Sequence, residues 1–248
     1  MVPQLSVSAN PEPGWKEPMP DSLLHLLLPN VCAVCNRLLV EGESGFCRSC
    51  RAEFDPFALS TEGEGMLRST IAARFGSSFA FERGWCSYLF HKNSPLQSAL
   101  HSMKYGGLFS LGRVFGRELG ELVAASGSAE EIDCVVPVPL HPLKKIERTY
   151  NQSEVIALPL ARRIERPMMG HVLRRKRSTR SQTGLSAGER RVNLEGAFKA
   201  VGDVGGMHVL LVDDVVTTGS TMAAASKALL GAGAARISLA SVALALKE

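Results

Sequence analysis

Two adjacent aspartates, Asp213 and Asp214, follow a run of four apolar residues and precede a short turn rich in hydroxyl side chains. The apolar run, residues 209–212, has the composition of a buried strand in a parallel sheet. Ligands of open parallel sheets bind at the carboxyl ends of the strands, and the two carboxylates lie at that end. The segment therefore predicts a ligand site at the edge of a sheet.

The turn after the aspartates has the composition of a phosphate-binding loop. It contains Thr217, Thr218, Gly219, Ser220 and Thr221, and it leads into a predicted helix. Backbone N–H groups at a helix N-terminus bind phosphate, and hydroxyl side chains add further donors. Glycine lets the backbone approach the ligand closely. The turn therefore predicts a phosphate site next to the two carboxylates.

Carboxylates beside a phosphate site repel the anion, and this restricts the ligand that the segment can bind. Their presence is explained if they accept hydrogen bonds from the vicinal hydroxyls of a sugar and if the ligand brings Mg²⁺. The segment thus predicts a site for ribose 5-phosphate with magnesium. The alternative is a strand–turn–helix junction with two incidental aspartates, which leaves the length and order of the motif unexplained.

Four cysteines form two Cys-x-x-Cys pairs, Cys32 with Cys35 and Cys47 with Cys50, separated by eleven residues. Four thiolates at this spacing are typical of a closed tetrahedral Zn²⁺ site, which is structural because no coordination position is left for water. Zinc would also stabilise a segment of roughly 25 residues that is too short to build its own core. Two disulfides, four free thiols and an iron–sulfur cluster are the alternatives.

Residues 174–191 contain seven basic residues and one acid, and the resulting charge of +6 exceeds the +4 of the whole chain. Their content of Ser, Thr, Gly and Gln predicts a mobile loop. Such a loop has three possible roles. It closes over a pyrophosphate and excludes water, it contacts the phosphates of a nucleic acid, or it is a solvated basic turn.

The elements that would position these residues alternate between short apolar strands and helices. Strands are predicted over residues 132–139, 207–212 and 236–243, and helices over residues 94–105, 110–125, 152–163 and 220–230. This order is typical of an α/β fold with a doubly wound, mostly parallel sheet. Residues 55–80 show no clear periodicity and are interpreted as a connector.

The composition, with 45% hydrophobic and 21% charged residues, is that of a folded globular protein. No apolar run approaches the roughly 20 residues of a membrane helix, and residues 1–20 lack the apolar core of a signal peptide, so we expect a cytoplasmic protein. The predicted division is a flexible tail over 1–22, a double-zinc-ribbon-like module over 23–54, a connector or hood over 55–90 and the α/β domain over 91–248.

Further segments complete a resemblance to a known family. The diagnostic sequences are Pro-Val-Pro-Leu-His-Pro at 137–142, Asn151-Gln152, Arg-Ser-Gln-Thr-Gly-Leu at 180–185, Glu-Arg-Arg-Val-Asn at 189–193, Gly-Ala-Phe at 196–198 and Val-Asp-Asp-Val-Val-Thr-Thr-Gly-Ser-Thr at 212–221. They resemble the ComF family of late-competence proteins, including its GntX-type members, which implies a type I phosphoribosyltransferase fold. The resemblance covers residues 23–243 and includes Lys104-Tyr105 and the N-terminal cysteines. It departs at Thr149-Tyr150, where relatives usually have Gly-Phe.

The resemblance implies a site for phosphoribosyl pyrophosphate with Mg²⁺. The carboxylates of Asp213 and Asp214 would be the catalytic pair that holds the ribose hydroxyls. The 5′-phosphate would bind to a loop made of Val215, Thr217, Thr218, Gly219, Ser220 and Thr221. The pyrophosphate loop would be Val138, Pro139, Leu140 and His141, and the flexible basic loop would contribute Arg177, Arg180, Gln182 and Arg190.

Two functions fit this resemblance. One is phosphoribosyl transfer, in which a nucleophile displaces pyrophosphate from C1 of the ribose. The family is associated with DNA uptake in natural transformation, which implies single-stranded DNA and a competence helicase-type protein as partners. The alternative is a non-catalytic module that binds single-stranded DNA, or regulates, with the phosphoribosyl site as a ligand sensor. The zinc knuckle and the basic loop suit DNA binding, whereas an aromatic content of only 6% disfavours base stacking.

Overall fold

The computed structural model describes residues 30–76, 79–140, 148, 150–175 and 196–246. The described residues from Val31 onward belong to one compact unit, so the cysteine segment and the sheet are parts of the same body. The predicted tail over 1–22 lies outside the described residues.

Among the described residues there are seven strands, and five of them form one central sheet. The strands are β1 (Asp55–Pro56), β2 (Gly84–Phe90), β3 (Cys134–Pro137), β4 (Leu173–Arg175), β5 (Phe198–Ala200), β6 (His208–Val216) and β7 (Arg236–Ala245). The central sheet has the order β1-β2-β7-β6-β3, and only the two-residue edge strand β1 is antiparallel. β4 and β5 form a separate antiparallel pair. The predicted mostly parallel α/β sheet is confirmed.

Six α-helices lie within the described part of the chain: α1 (Arg48–Ala52), α2 (Ser60–Phe75), α3 (Pro95–Tyr105), α4 (Phe109–Ala125), α5 (Gln152–Arg163) and α6 (Ser220–Leu230). The predictions for α3 to α6 agree with these bounds to within a residue or two. They succeed because the start signals are local: Ser94 caps α3 with Pro95 in its first turn, and Asn151 caps α5. No helix among the described residues has both the length and the apolar character needed to cross a membrane.

The interpretation of residues 55–80 as a connector is wrong for most of that segment, because α2 occupies 16 of its residues. Only Gly63, Leu67 and Ile71 of this helix are buried, and one of the three is a glycine. So thin an apolar stripe gives almost no periodic signal in the sequence. Strand β2 pairs with β7 within the central sheet, and it lies upstream of residue 91, where the predicted α/β domain begins.

Three glycines spaced four residues apart allow α4 and α5 to pack closely. A Cβ atom built on Gly116 would lie 2.2 Å from the carbonyl oxygen of Ile156, and one on Gly112 would lie 2.8 Å from Val155 Cγ1. Gly120 makes a similar close approach to Arg163. The absence of side chains on this face of α4 sets the position of α5, whose first turn reaches the two aspartates.

We expect Gly116→Ala to destabilise the protein by about 1–3 kcal/mol, because the added methyl group overlaps a backbone carbonyl at a packed interface. Gly65→Ala in α2 is the matched control, since its Cβ meets nothing within 4 Å. The control should be neutral or should stabilise the protein by up to ~1 kcal/mol. Urea unfolding measures both, and equal effects of the two substitutions would contradict the described packing of α4 on α5.

Candidate functional site

The two aspartates lie at the carboxyl end of β6, and fixed donors hold them there. Asp213 Oδ1 accepts hydrogen bonds from Ser153 Oγ and from the backbone N–H of Asp214, each at 2.9 Å. Asp214 Oδ1 accepts one from the backbone N–H of Val215 at 2.7 Å. Ser153 lies in the first turn of α5 and was missed by the sequence analysis, because no local pattern links it to the aspartates.

A lysine from a distant helix completes the environment of the second aspartate. Lys104 Nζ, near the end of α3, lies 2.8 Å from Asp214 Oδ2, and the two side chains are only 22% and 14% exposed. Sequence reasoning included Lys104 in the family resemblance but gave it no role. The structure therefore adds a cation to the site that the motif alone does not reveal.

The surroundings of Asp213 shift its ionisation towards neutral pH. Burial is the main cause and the negative charge of Asp214 adds to it, so that the pKa of Asp213 is raised to about 7. The hydrogen bond from Ser153 and the charge of Lys104 act in the opposite direction. A carboxyl group with so perturbed a pKa, next to a second carboxylate, is typical of ligand-binding and catalytic sites.

A second cation, Arg175 at the end of β4, also interacts with this pair. Burial lowers the pKa of Arg175 and the negative charge of Asp213 opposes that shift. The guanidinium lies 5.3 Å from the centroid of the Phe198 ring on β5. Arg175 is the second residue of the basic segment 174–191, so one cation of that segment interacts electrostatically with Asp213.

The turn between β6 and α6 has the conformation expected of a phosphate-binding loop. Gly219 has φ 70° and ψ 0°, a left-handed conformation that favours glycine. A Cβ atom at this position would also lie 2.5 Å from Ile71 Cγ1 of α2. Thr218 Oγ1 and Ser220 Oγ are 2.9 Å apart. Gly219 has no side chain with which to cap α6, so the first-turn N–H groups can serve a ligand.

The loop after β3 is attached to the first turn of α5 by one buried asparagine. Asn151 Nδ2 donates to the carbonyl oxygen of Val138 at 3.1 Å, and Asn151 Oδ1 accepts from the backbone N–H of Ser153 at 3.2 Å. The Val138 N–H donates to the carbonyl of Val212 on β6, at 2.9 Å. The described part of the predicted pyrophosphate loop, Val138, Pro139 and Leu140, therefore continues from the strand next to β6.

Several predicted site residues lie outside the described residues. They are His141 of the predicted pyrophosphate loop and all four residues of the predicted basic loop, Arg177, Arg180, Gln182 and Arg190. Their roles remain predictions.

The structure brings together the four cysteines of the two predicted knuckles. The sulfur atoms of Cys32, Cys35, Cys47 and Cys50 all lie within 4.8 Å of one another. The backbone N–H of Cys50 donates to Cys47 Sγ at 3.4 Å, and this is the main cause that lowers the pKa of Cys47 to about 6. Such a cluster suits a structural metal ion, because every position of a tetrahedral ion can be filled by sulfur.

Arg51, directly after the last of these cysteines, joins the cluster to the sheet. Arg51 Nη2 donates to Tyr88 Oη at 2.6 Å and to Glu118 Oε1 at 2.5 Å. The guanidinium also lies 5.2 Å from the ring centroid of Phe54, which itself lies 6.4 Å from that of Phe115 on α4. The cysteine segment thus packs against the main hydrophobic core. Because Arg51 directly follows Cys50, the geometry of the four cysteines determines the position of Arg51.

The pKa of Asp213 predicts a pH-dependent cost in stability. Because the folded value exceeds the unfolded value of about 3.9, the unfolded state loses its proton first as pH rises, and stability falls between about pH 4 and pH 7. Asp213→Asn removes this loss. We therefore expect the free energy of unfolding of the variant, relative to that of the wild type, to increase by roughly 1 kcal/mol or more when the pH is raised from 5 to 8.

Urea unfolding at the two pH values measures this gain. Asp203→Asn is the control, because Asp203 is exposed and its oxygen accepts a hydrogen bond, from the Gly205 N–H, that an asparagine oxygen also accepts. A difference between Asp213→Asn and wild type that does not change with pH would contradict the raised pKa.

Comparison with known proteins identifies the type of domain that the second half of the chain forms. The family model of the phosphoribosyl transferase domain matches residues 150–247, which include α5, β6, α6 and the turn between β6 and α6. Among solved structures, glutamine phosphoribosylpyrophosphate amidotransferase from B. subtilis is 26% identical, with a TM-score of 0.36 and coverage of 51% of this chain and 26% of that chain.

Two relatives match this chain over most of their own length. The chain is 28% identical over 214 residues to competence protein F of Haemophilus influenzae, covering 83% of this chain and 93% of that protein. It is 30% identical over 219 residues to the DNA utilization protein YhgH of Escherichia coli O157:H7, covering 86% of this chain and 96% of that protein. The second of these matches shows that the chain belongs to the ComF/YhgH family, and the chain has a phosphoribosyl transferase domain and a cluster of four cysteines.

Proposed function

We propose that this protein binds phosphoribosyl pyrophosphate with Mg²⁺ at the carboxyl end of β6. The observation that supports this proposal best is the pairing of two fixed carboxylates, Asp213 and Asp214, with the uncapped N-terminus of α6 one short turn later. A phosphate alone would be repelled by the carboxylates, and a sugar alone would leave the N–H groups of α6 unused. Ribose 5-phosphate uses both features.

Each part of the ligand has protein groups suited to it. The ribose hydroxyls donate to the carboxylates, and the 5′-phosphate accepts from Thr218, Ser220 and the N–H groups of α6. The pyrophosphate lies towards Val138, because β3 is the strand next to β6. Lys104 and Arg175 supply positive charge near the pair, and Mg²⁺ brought by the ligand adds more.

The same arrangement supports phosphoribosyl transfer. The bond between C1 and the pyrophosphate oxygen breaks, pyrophosphate leaves with the bonding electrons, and a nucleophile forms the new bond to C1. The transition state resembles a cation at the ribose ring, and two carboxylates that hold the ribose hydroxyls would stabilise that charge. The protein contributes mainly through position and charge, since the leaving group already carries its own negative charge.

A second candidate function is binding of single-stranded DNA, and an exposed aromatic surface favours it. Tyr105 is 57% exposed and Phe109 is 51% exposed, at the junction of α3 and α4. The guanidinium groups of Arg148 and Arg113 lie 4.9 and 5.4 Å from the respective ring centroids. Aromatic rings with adjacent cations are the groups on which nucleic-acid bases stack. The DNA utilization and competence names of the relatives agree with such a role.

We also propose that the four cysteines bind Zn²⁺. Elemental analysis of protein purified without added metal should find one zinc ion per chain. Cys47→Ser should lose the zinc and lower the stability, because Arg51 and the phenylalanines around it are held by the cluster. Cys134→Ala is the control, since Cys134 is buried in β3 away from the cluster. Iron with visible absorption, or no metal at all, would contradict a zinc site.

Calorimetric titration with phosphoribosyl pyrophosphate and Mg²⁺ tests the first function. We expect wild-type protein to bind the ligand and the double variant Asp213→Asn, Asp214→Asn to bind it at least 10-fold more weakly, because two charged acceptors for the ribose hydroxyls are lost. Asp203→Asn should bind as the wild type does.

Unchanged affinity in the double variant would contradict the assignment of the carboxylates. The same samples are titrated with a single-stranded oligonucleotide. A wild-type protein that binds the oligonucleotide but not the phosphoribosyl ligand would favour the second function, and DNA affinity that changes when the ligand is present would show that both functions operate together.

A further inference from the structure

We propose that Lys104 changes partner when the ligand binds: its ammonium group leaves Asp214 and pairs with the pyrophosphate. The consequence is selectivity, because only a ribose that carries an anionic group on C1 can compensate for the broken ion pair. Lys104 would thus distinguish phosphoribosyl pyrophosphate from ribose 5-phosphate. This inference rests on the proposed function and adds a specificity determinant to it.

The hydrogen bonds of Asp214 favour an exchange. Its Oδ1 accepts from the Val215 N–H at 2.7 Å, and its Oδ2 lies 2.8 Å from Lys104 Nζ. A ribose hydroxyl that donates to Asp214 shares an oxygen with one of these donors and weakens that donor's hold on the carboxylate. The backbone donor is fixed by strand β6, whereas the lysine side chain has four rotatable bonds, so the lysine is the group that moves.

The burial of both groups gives the exchange its cost and its selectivity. Lys104 is 22% exposed and Asp214 is 14% exposed. An ammonium group moved away from its carboxylate in such a site is costly unless another anion replaces the partner. Pyrophosphate provides that anion and ribose 5-phosphate does not, since its only phosphate is held at the N-terminus of α6.

The backbone next to Lys104 is connected by hydrogen bonds to the loop where the pyrophosphate would bind. The Tyr150 hydroxyl donates to the backbone carbonyl of Met103, the residue before Lys104. The residue after Tyr150 is Asn151, whose side-chain amide donates to the carbonyl of Val138 at 3.1 Å. A short chain of contacts therefore links the end of α3 to the predicted pyrophosphate loop. The backbone of Lys104 is held while its side chain can turn from Asp214 to that loop.

The hydroxyl group of Tyr150 strengthens the attachment of α3. A phenylalanine at this position would have no hydroxyl group to donate to Met103. The Tyr150 ring packs edge to face with Phe109, at 6.1 Å between centroids, so the hydroxyl adds a hydrogen bond to a contact that a phenylalanine ring can also make. In this chain the end of α3 is therefore tied more firmly to the segment before α5.

The test is to measure the affinities for two ligands, phosphoribosyl pyrophosphate and ribose 5-phosphate, each with Mg²⁺, by calorimetry. We expect Lys104→Gln to weaken binding of the first at least 10-fold and to leave binding of the second unchanged or a few-fold tighter. The ratio of the two affinities then falls at least 10-fold. Lys104→Arg keeps the charge and should retain most of the ratio, and Lys227→Gln, an exposed lysine at the far end of α6, should leave both affinities unchanged.

Equal weakening of both ligands in Lys104→Gln would overturn the exchange, since it would show a merely structural role. Unchanged binding of both would overturn it as well. If Lys104→Gln does not fold, Lys104→Met retains the aliphatic stem and must show the same change in ratio. A wild-type protein that binds neither ligand would refute the proposed function itself, and a wild-type protein that binds both with an unchanged ratio in the variants would refute only the role of Lys104.

Discussion

Two adjacent carboxylates half-buried at the end of a central strand are the constraint on which the rest of the site depends. Buried negative charge is costly unless hydrogen bonds and cations compensate it. The protein supplies Ser153 from α5, amides from β6 and Lys104 from α3, and the raised pKa of Asp213 shows that the compensation is incomplete. The ligand proposed above would relieve this unfavourable charge, because it would bring hydroxyl donors and Mg²⁺.

The outer elements matter because they hold the donors in place. The glycine face of α4 sets the position of α5, and the Ile71 side chain of α2 packs where Gly219 lacks a Cβ atom. Arg51 connects the four cysteines to Tyr88 and Glu118 of the main core. A metal at the cysteine cluster would therefore stabilise the same body that carries the ligand site, rather than a separate appendage.

Sequence alone predicts the parts of this protein that are encoded locally. The strand, the two aspartates, the turn and α6 follow one another in the chain, so their motif could be recognised, and the Asn151 cap marks the start of α5. Helix α2 was missed because its buried face is only three residues. The contacts that Lys104 and Ser153 make with the aspartates were not predicted, because they join distant segments of the chain. Such contacts depend on how the helices pack, which the pattern of residues along the chain does not encode directly.

If the proposed phosphoribosyl ligand binds at this pair of carboxylates, the ionisation of Asp213 must respond to that ligand. The carboxyl ¹³C shift of Asp213 as a function of pH, recorded by NMR with and without phosphoribosyl pyrophosphate and Mg²⁺, measures that response. We expect a pKa of about 7 in the free protein that falls by roughly one unit or more in the complex, because ribose hydroxyls and Mg²⁺ favour the ionised form. A pKa that stays the same in the presence of saturating ligand would contradict binding at these carboxylates.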